Sequence, residues 1–309
     1  MNYNSIGITI GNKCNASCEI CCMSSNPQSN SIISIEEIKK YLESIKNNNN
    51  IRVISFTGGE VFLYYNQLKE LILFVNECDK VSTITTNGFW AKDLNSTIEI
   101  LNELKLLGLG GITVSYDEFH QKYIPITNIN NILIAGKEVD LPVSIQSVII
   151  KRSVNKWIDS LSDNLVNTSI TFVPCFPVGE AQRNIDNNQY IREKSLYGLK
   201  CRKNGAYSVT ADGNIWPCCS PYITETALLL GNIADDKTVD NTIRKLRTNI
   251  ILYCLRNYGF DIFIDYAREN LSIDLPEKVI SSCELCGIIF KKEYIKKFIP
   301  YLKEKLNTK

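Results

Sequence analysis

The chain has 309 residues and a formal net charge of +1, from 34 basic and 33 acidic side chains spread along its length. A chain of this length buries one large core or two modest ones and needs no covalent cross-links to fold. The balanced charge argues against a protein that is held to nucleic acid or to a membrane surface by electrostatics.

The N-terminal segment gives the first expectation about location. The stretch MNYNSIGITIG lacks the positive charge and the long apolar run of a secretory signal. No segment reaches the ~18 consecutive apolar residues of a membrane span. We therefore expect a cytoplasmic protein without membrane segments. In a reducing cytosol, the twelve cysteines are expected to bind metal or carry redox chemistry rather than to form disulfides.

Alternating strand and helix patterns fill the first ~200 residues, which is the signal for repeated βα units and a parallel sheet. Ser34 followed by Glu37 forms a capping box that predicts a helix over Ile35–Ile45. Further apolar patterns at helical spacing begin at Leu68 and at Ile98. Six such units predict a barrel or part of one, with strands near Ile6–Ile10, Arg52–Phe56, Ser82–Thr86, Ile112–Tyr116, Val143–Ile149 and Ser169–Val173.

A cysteine-rich loop directly follows the first predicted strand. Cys14, Cys18 and Cys21 have the spacing C-x3-C-x2-C within the stretch CNASCEICC. A [4Fe–4S] cluster normally takes four thiolates, so three ligands leave one iron open for a substrate, as a catalytic metal site does. The spacing alone leaves open a zinc knuckle or a chance cluster in a cysteine-rich chain.

Polar and glycine-rich clusters follow the next three predicted strands. They are Thr57-Gly58-Gly59-Glu60, Thr86-Asn87-Gly88 and Ser115-Tyr116-Asp117. The C-terminal ends of the strands form the catalytic face of a β/α barrel. The clusters and the cysteine loop are therefore predicted to meet at one site.

The pattern changes after about Lys200, where short strands and helices replace the βα units. The runs Ala206–Ala211 and Asn214–Pro217 flank Asp212-Gly213, which predicts a β-hairpin. Helical segments are predicted over Lys237–Tyr258 and Phe260–Leu271. A last helix is predicted from about Phe290, interrupted by Pro300.

The cysteine spacing together with Gly-Gly-Glu after the second strand resembles the radical S-adenosylmethionine (SAM) enzymes. The resemblance implies a partial (β/α)6 barrel of the TIM type over residues 1–200, in an α/β fold. It implies that Cys14, Cys18 and Cys21 hold a [4Fe–4S] cluster whose open iron binds SAM. The residues implied to contact SAM are Gly58, Gly59 and Glu60 at its methionine ammonium and Ser115, Asn87 and Asp117 at its ribose or carboxylate. Val61 replaces the proline that often follows this motif.

Four later cysteines supply enough thiols for a complete second cluster. They are Cys201, Cys218 in Gly213-x4-Cys218, and the Cys283-x2-Cys286 pair. This arrangement resembles the SPASM and shortened twitch domains of peptide-modifying radical SAM enzymes, and it implies a small α+β domain over residues 201–309 with one auxiliary [4Fe–4S] cluster. A structural zinc site on the same thiolates is the alternative.

Cys219 is left over from this set of four. Adjacent side chains of an extended strand point to opposite sides, so Cys219 is expected to face away from the auxiliary cluster. It could serve as a hydrogen-atom donor or pack as a small buried hydrophobe. The stretches ISFTGGEVFL, NGFW, SYDEFH and CCSP and the terminal C-x2-C resemble the radical SAM peptide epimerases of the YydG type. By position, the resemblance implies that Cys219 is the catalytic hydrogen donor.

The resemblance implies an isomerase that converts L- to D-residues in a ribosomally made precursor peptide. A 5′-deoxyadenosyl radical removes the Cα hydrogen and Cys219 returns hydrogen from the opposite face. Val or Ile is the expected target, and a flavodoxin or ferredoxin is the expected electron donor. The alternatives are a maturase that forms thioether or carbon–carbon cross-links, and a non-catalytic iron–sulfur or zinc scaffold.

Several other residues have weaker signals. His120 is an isolated histidine, expected to be structural more often than functional. The loop Pro177–Glu180 could line the adenine or peptide site. The remaining cysteines lack partners at ligand spacing and are expected to be buried; they are Cys22, Cys78, Cys175 and Cys254.

Overall fold

The computed structural model describes residues 3–201, 205–236 and 238–307. Lys237, at which a helix was predicted to begin, lies outside the described residues. The strands are β1 (Ser5–Thr9), β2 (Val53–Thr57), β3 (Val81–Thr86), β4 (Leu109–Ser115), β5 (Val143–Ile149), β6 (Ser169–Pro174), β7 (Lys194–Ser195), β8 (Ala206–Val209), β9 (Asn214–Trp216), β10 (Gly231–Asn232) and β11 (Lys278–Val279).

Nine of the described strands form one sheet in the order β10-β9-β8-β1-β2-β3-β4-β5-β6. The pairs from β1 to β6 are all parallel and follow chain order, as in a β/α barrel. Among the described residues β6 pairs only with β5, so the barrel is partial. The six strands predicted from the sequence are present, each within a few residues of its predicted bounds.

The first four helices connect successive parallel strands from β1 to β5, and the other seven described helices follow β6. The described helices are α1 (Ile35–Leu42), α2 (Tyr65–Glu77), α3 (Leu94–Leu106), α4 (Ile126–Glu138), α5 (Glu180–Asn184), α6 (Ile233–Asp236), α7 (Val239–Thr248), α8 (Ile250–Asn257), α9 (Asp261–Asn270), α10 (Ser282–Ile289) and α11 (Lys292–Asn307). The predicted capping box is formed at α1, where Ser34 Oγ accepts from the Glu37 N–H at 3.1 Å. No described helix is both long and apolar enough to span a membrane.

The two faces of the sheet differ in chemistry. Ile6 and Ile8 of β1 and Phe56 of β2 are buried in the core that the helices complete. Because side chains alternate along a strand, their neighbours point to the opposite face, which we call the inner face. Residues of that face that lie side by side form the inner row, which consists of Ser208, Gly7, Ser55 and Thr83.

The C-terminal region is attached to the same sheet. The predicted hairpin is confirmed, since β8 and β9 pair in antiparallel fashion, and β8 also pairs in parallel with β1. The single helix predicted up to Tyr258 is wrong: Asn249 has an extended backbone that ends α7, and its side chain accepts from the Leu252 N–H at the start of α8. The predicted break at Pro300 is also wrong, because α11 runs through it. Phe298 and Leu302 are fully buried on either side of this proline, and their packing offsets the lost hydrogen bond.

Candidate functional site

The sulfurs of the cysteine loop between β1 and α1 are contacted by backbone N–H groups of the loop and by one side-chain amide from outside it. The Ala16 N–H donates to Cys14 Sγ at 3.4 Å, and the Ser25 N–H donates to Cys21 Sγ at 3.3 Å. The Asn87 side-chain amide approaches Cys14 Sγ at 3.7 Å. Such N–H···S contacts stabilise negative sulfur ligands, and three soft thiolates in one loop fit an iron–sulfur cluster.

Burial raises the pKa values of Cys14 and Cys18 and so favours their protonated forms in the absence of metal. Burial raises the pKa of Cys14 to about 11, with a smaller contribution from the nearby Glu60 charge. The pKa of Cys18 is raised further, by burial first and then by the charges of Cys21 and Cys14. The three sulfurs therefore lie within electrostatic range of one another. A metal that binds here must displace the protons of Cys14 and Cys18.

The Gly58-Gly59 turn packs directly against the cysteine loop. The Gly59 N–H donates to the Gly11 carbonyl at 2.8 Å, and the Glu60 N–H donates to the Lys13 carbonyl at 2.9 Å. A Cβ at Gly58 would lie 2.7 Å from the Gly11 carbonyl oxygen, and one at Gly59 would overlap the Lys13 carbonyl. The two glycines are required for this close approach, which joins two separate motifs into one structure.

Glu60 is a buried carboxylate that ties the ends of β2 and β3 together. Its Oε1 accepts from Thr86 Oγ1 at 2.7 Å and from the Phe62 N–H at 3.1 Å, and its Oε2 accepts from the Asn87 N–H at 2.7 Å. Burial raises its pKa, while these hydrogen bonds and the nearby His120 lower it. His120 is therefore within electrostatic range of the predicted SAM ammonium site.

Asn87 connects the third strand to the cysteine loop. Its Nδ2 donates to Asn15 Oδ1 at 2.9 Å besides approaching Cys14. Its Oδ1 accepts from the Phe89 N–H at 3.0 Å. The sequence predicted Asn87 near SAM, and the structure adds a role in holding the loop that carries the cysteines.

Asp117 shapes the loop after β4 through hydrogen bonds to its fully buried carboxylate. Its Oδ1 accepts from the N–H groups of Phe119 and His120, both at 3.0 Å, and lies 2.8 Å from His120 Nδ1. Its Oδ2 accepts from the Val148 N–H at 3.0 Å. Asp117 therefore orients the His120 ring. Ser115, the last residue of β4, pairs in register with Gln146 of β5.

The four later cysteines lie near one another, although they come from separate segments. Cys283 and Cys286 lie one turn apart on α10, and Cys218 follows β9. The pKa of Cys286 is raised well above its usual value by burial, then by the charges of Cys218, Cys201 and Cys283. In the ranges 3–201, 205–236 and 238–307, no three Cys, His, Asp or Glu side chains converge as ligands of a single metal ion. Four neighbouring thiols are a donor set that an iron–sulfur cluster or a structural zinc ion can use.

Helix α10 is fixed in place by a buried carboxylate. Glu284, between the two cysteines of the helix, accepts from Arg192 Nε at 2.8 Å and from the Ile280 N–H at 2.7 Å. The preceding strand β11 pairs with β7, which follows Arg192 in the chain. These contacts join the helix that carries Cys283 and Cys286 to residues 192–195, which follow the barrel strands in the chain.

Cys219 is directed to the inner face of the sheet. Its Sγ lies 3.0 Å from the position that a Cβ would take at Gly7 of β1 and contacts the Tyr207 carbonyl at 3.7 Å. The neighbouring Cys218 is instead grouped with Cys201 and Cys283, whose charges raise its pKa after burial does. Cys219 is exposed and is not packed as a small buried hydrophobe.

The remaining cysteines are mostly buried, and the Pro177–Glu180 loop packs against the cysteine loop. Cys78, Cys175 and Cys254 are buried as predicted, but the prediction for Cys22 is wrong because the tight cysteine loop leaves it exposed. The Glu180 N–H donates to the Cys21 carbonyl at 2.9 Å. Gly179 has a positive φ and packs against the same carbonyl. No pattern in the sequence predicted this support of the cysteine loop, and the glycine was the one available signal.

Comparison with known sequences finds relatives along the whole chain. Residues 8–135, from β1 into α4, match the family described as the radical SAM superfamily. The chain is 34% identical to YydG of Bacillus subtilis (strain 168), named as a peptide biosynthesis protein, over 99% of this chain and 98% of that protein. It is 29% identical to a protein of Saccharolobus islandicus (strain L.S.2.15 / Lassen #1) named as a GTP 3′,8-cyclase, over 62% of this chain and 63% of that protein.

Comparison with solved structures finds the same fold. The crystal structure of BtrN in complex with AdoMet and 2-DOIA superposes with a TM-score of 0.51 at 15% sequence identity. The superposition covers 83% of this chain and 89% of BtrN. At this identity the likeness concerns the fold, a mixed α/β architecture built on a parallel sheet.

Proposed function

The chain belongs to the radical SAM superfamily, and from that premise we propose that it is a peptide epimerase that converts L- to D-residues in a ribosomally made precursor peptide. The fold predicted from the sequence is confirmed. The resemblance to YydG extends over nearly the whole length of both chains. A relative named for peptide biosynthesis supports a peptide substrate, and the choice of epimerisation depends on Cys219.

The observation that carries the proposal is the position of the Cys219 thiol. It lies on the inner face beside Gly7, whereas the SAM-binding motifs follow the C-terminal ends of the strands. Gly7 precedes Gly11 by four residues, or about 13 Å along an extended chain. A peptide Cα held between the strand ends and the inner row would therefore have SAM on one side and a thiol on the other.

Each cysteine set has a distinct role in the proposed reaction. Cys14, Cys18 and Cys21 would hold one [4Fe–4S] cluster, and Gly58, Gly59 and Glu60 would bind the SAM that this cluster chelates. When bound, the cluster and SAM supply hydrogen-atom abstraction from an unactivated carbon. The barrel must hold the target Cα in line between SAM and Cys219, because orientation determines which hydrogen leaves and which face receives one.

Cys219 completes the inversion. Its S–H bond breaks homolytically and the hydrogen atom forms a new C–H bond on the opposite face of Cα, which leaves a sulfur-centred radical on Cys219. This radical takes up one electron and one proton to restore the thiol. We propose an auxiliary cluster held by Cys201, Cys218, Cys283 and Cys286 as the electron source. A flavodoxin or ferredoxin would replenish it, and solvent would supply the proton.

The test is anaerobic turnover in D2O with SAM, a reductant and the peptide encoded beside the gene, comparing wild type with Cys219→Ala. We expect a gain of one mass unit per modified residue and a D-amino acid after hydrolysis, both lost in the variant while 5′-deoxyadenosine still forms. A loss of two mass units that persists in the variant would mean cross-link formation instead. No SAM cleavage after reconstitution would favour a scaffold.

A further inference from the structure

A glycine occupies a position in the middle of β1 at which the sheet would accept a side chain. Gly7 pairs in register with Ser208 on one side and Ser55 on the other, and both neighbours carry a side chain on the inner face. Glycine within a strand costs stability relative to alanine, and it often marks a site that another group approaches closely. The φ of Gly7 is not positive, so backbone conformation does not require glycine here.

The group that approaches Gly7 is the Cys219 thiol. A Cβ added at Gly7 would lie 3.0 Å from Cys219 Sγ, which is shorter than the ~3.5–4.0 Å of an ordinary van der Waals contact between carbon atoms. The next nearest atoms, Ser208 Cβ and the Tyr207 carbonyl oxygen, are both at 3.9 Å. The missing side chain therefore leaves a slot in the inner row, and the sulfur fills it.

Two further contacts fix the backbone and the thiol around this slot. Ser208 Oγ donates to the Cys218 carbonyl at 2.8 Å, which anchors the peptide group that leads into Cys219. The Tyr207 carbonyl is 3.7 Å from Cys219 Sγ and can accept a weak S–H hydrogen bond. The thiol therefore contacts the Tyr207 carbonyl of β8 and packs against the backbone of β1 at Gly7.

We propose that Gly7 is the positioning residue for the Cys219 thiol. Because Gly7 has no side chain, the sulfur can lie in the inner row, at the distance from the target Cα that hydrogen return requires. This inference rests on the proposed function and deepens it. Hydrogen-atom transfer needs the donor close to the carbon radical and on the correct face. A methyl group at residue 7 would displace the sulfur away from the inner face of the sheet. The residues proposed to bind the first cluster and SAM would be unchanged.

The experiment compares Gly7→Ala with wild type, Cys219→Ala and Gly111→Ala in reconstituted holoenzyme. Gly111 is the matched control, because it pairs with Thr83 at the next position of the same face and its added Cβ would meet the Pro142 carbonyl at 3.3 Å rather than a thiol. In Gly7→Ala we expect the D-residue formed per 5′-deoxyadenosine to fall about tenfold, since a displacement of about 1 Å can cost more than that. Gly111→Ala should retain the wild-type ratio.

A second readout does not depend on turnover. Alkylation of Cys219 by iodoacetamide, followed by peptide mapping, should be faster in Gly7→Ala than in wild type and unchanged in Gly111→Ala. If wild type and Cys219→Ala behave as proposed but Gly7→Ala retains both the wild-type ratio and the wild-type labelling rate, the positioning role is refuted while the epimerase remains. If wild type forms no D-residue, the proposed function itself fails, and the labelling rates still report whether Gly7 seats the thiol.

Discussion

The two cysteine sets of this protein are built in different ways. Cys14, Cys18 and Cys21 lie in one loop, whose own N–H groups donate to two of the sulfurs. The second set is collected from three segments, with Cys201 after β7, Cys218 after β9 and a pair on α10. Its arrangement depends on contacts between elements far apart in sequence, above all the ion pair of Glu284 with Arg192.

This difference predicts an asymmetry in behaviour. A site fixed by hydrogen bonds within one loop is formed as soon as that loop and its immediate neighbours are ordered. A site assembled from separate elements exists only when those elements are docked, so local openings that cost less than global unfolding can disrupt it. We therefore expect the second site to lose iron first under mild destabilisation, while the first site and SAM cleavage persist.

The largest effect is expected from removal of a ligand in the first loop. Cys18→Ala removes one of the three thiols that we propose as ligands of the first cluster. SAM cleavage, measured as 5′-deoxyadenosine formed under reducing conditions, should fall by more than about a hundredfold, since loss of even an outer partner of a metal ligand can cost that much. D-residue formation should fall with it.

The neighbouring thiol provides the matched control for this loop. Cys22 is adjacent to Cys21 and exposed, so Cys22→Ala should retain wild-type SAM cleavage and iron content. An equal loss of SAM cleavage and iron content in Cys18→Ala and Cys22→Ala would contradict the ligand assignment. It would indicate that any change in the loop prevents cluster assembly.

A smaller and qualitatively different effect is expected from the second set. Cys283→Ala should lower iron content and leave SAM cleavage largely intact, while D-residue formation stops after about one product per enzyme, a single-turnover pattern. The sulfur radical on Cys219 would then lack its proposed electron source. Cys254→Ala is the control, since it removes a fully buried thiol from the same region but not a proposed ligand. Sustained turnover in Cys283→Ala would refute the redox role.

The same contrast explains what the sequence could predict. The spacing of Cys14, Cys18 and Cys21 and the Gly58-Gly59-Glu60 turn are local patterns, and the structure brings them together through the Gly59 and Glu60 N–H groups. The strand order also followed from alternation of strand and helix patterns, because short βα connections leave few topologies. The structure thus adds the atomic contacts to an arrangement that could be anticipated.

Other features depend on tertiary contacts and could not be read from local pattern. Pro300 predicted a helix break, but burial of Phe298 and Leu302 keeps α11 continuous. The parallel pairing of β8 with β1 joins residues about 200 positions apart, for which no local signal exists. Gly7 is an unremarkable residue in the sequence, and only the placement of Cys219 above it gives it a role.

The smallest effect concerns the helix cap next to the second set. Ser281 Oγ accepts from the Cys283 N–H at 3.1 Å and so fixes the turn that presents the first cysteine of α10. Ser281→Ala should cost about 1 kcal/mol of stability, or about 2 °C in the unfolding midpoint for a chain of this size. Ser34→Ala removes a cap of the same length at α1, near the first cysteine loop, and should cost as much.

The two caps should nevertheless differ in their effect on iron. If the second site depends on docking of α10, Ser281→Ala will lose auxiliary iron faster than wild type during exposure to a chelator, while Ser34→Ala loses it at the wild-type rate. Equal retention in both variants would show that the remaining contacts of α10, which include the ion pair with Arg192 and the pairing of β11 with β7, hold the ligands without the cap.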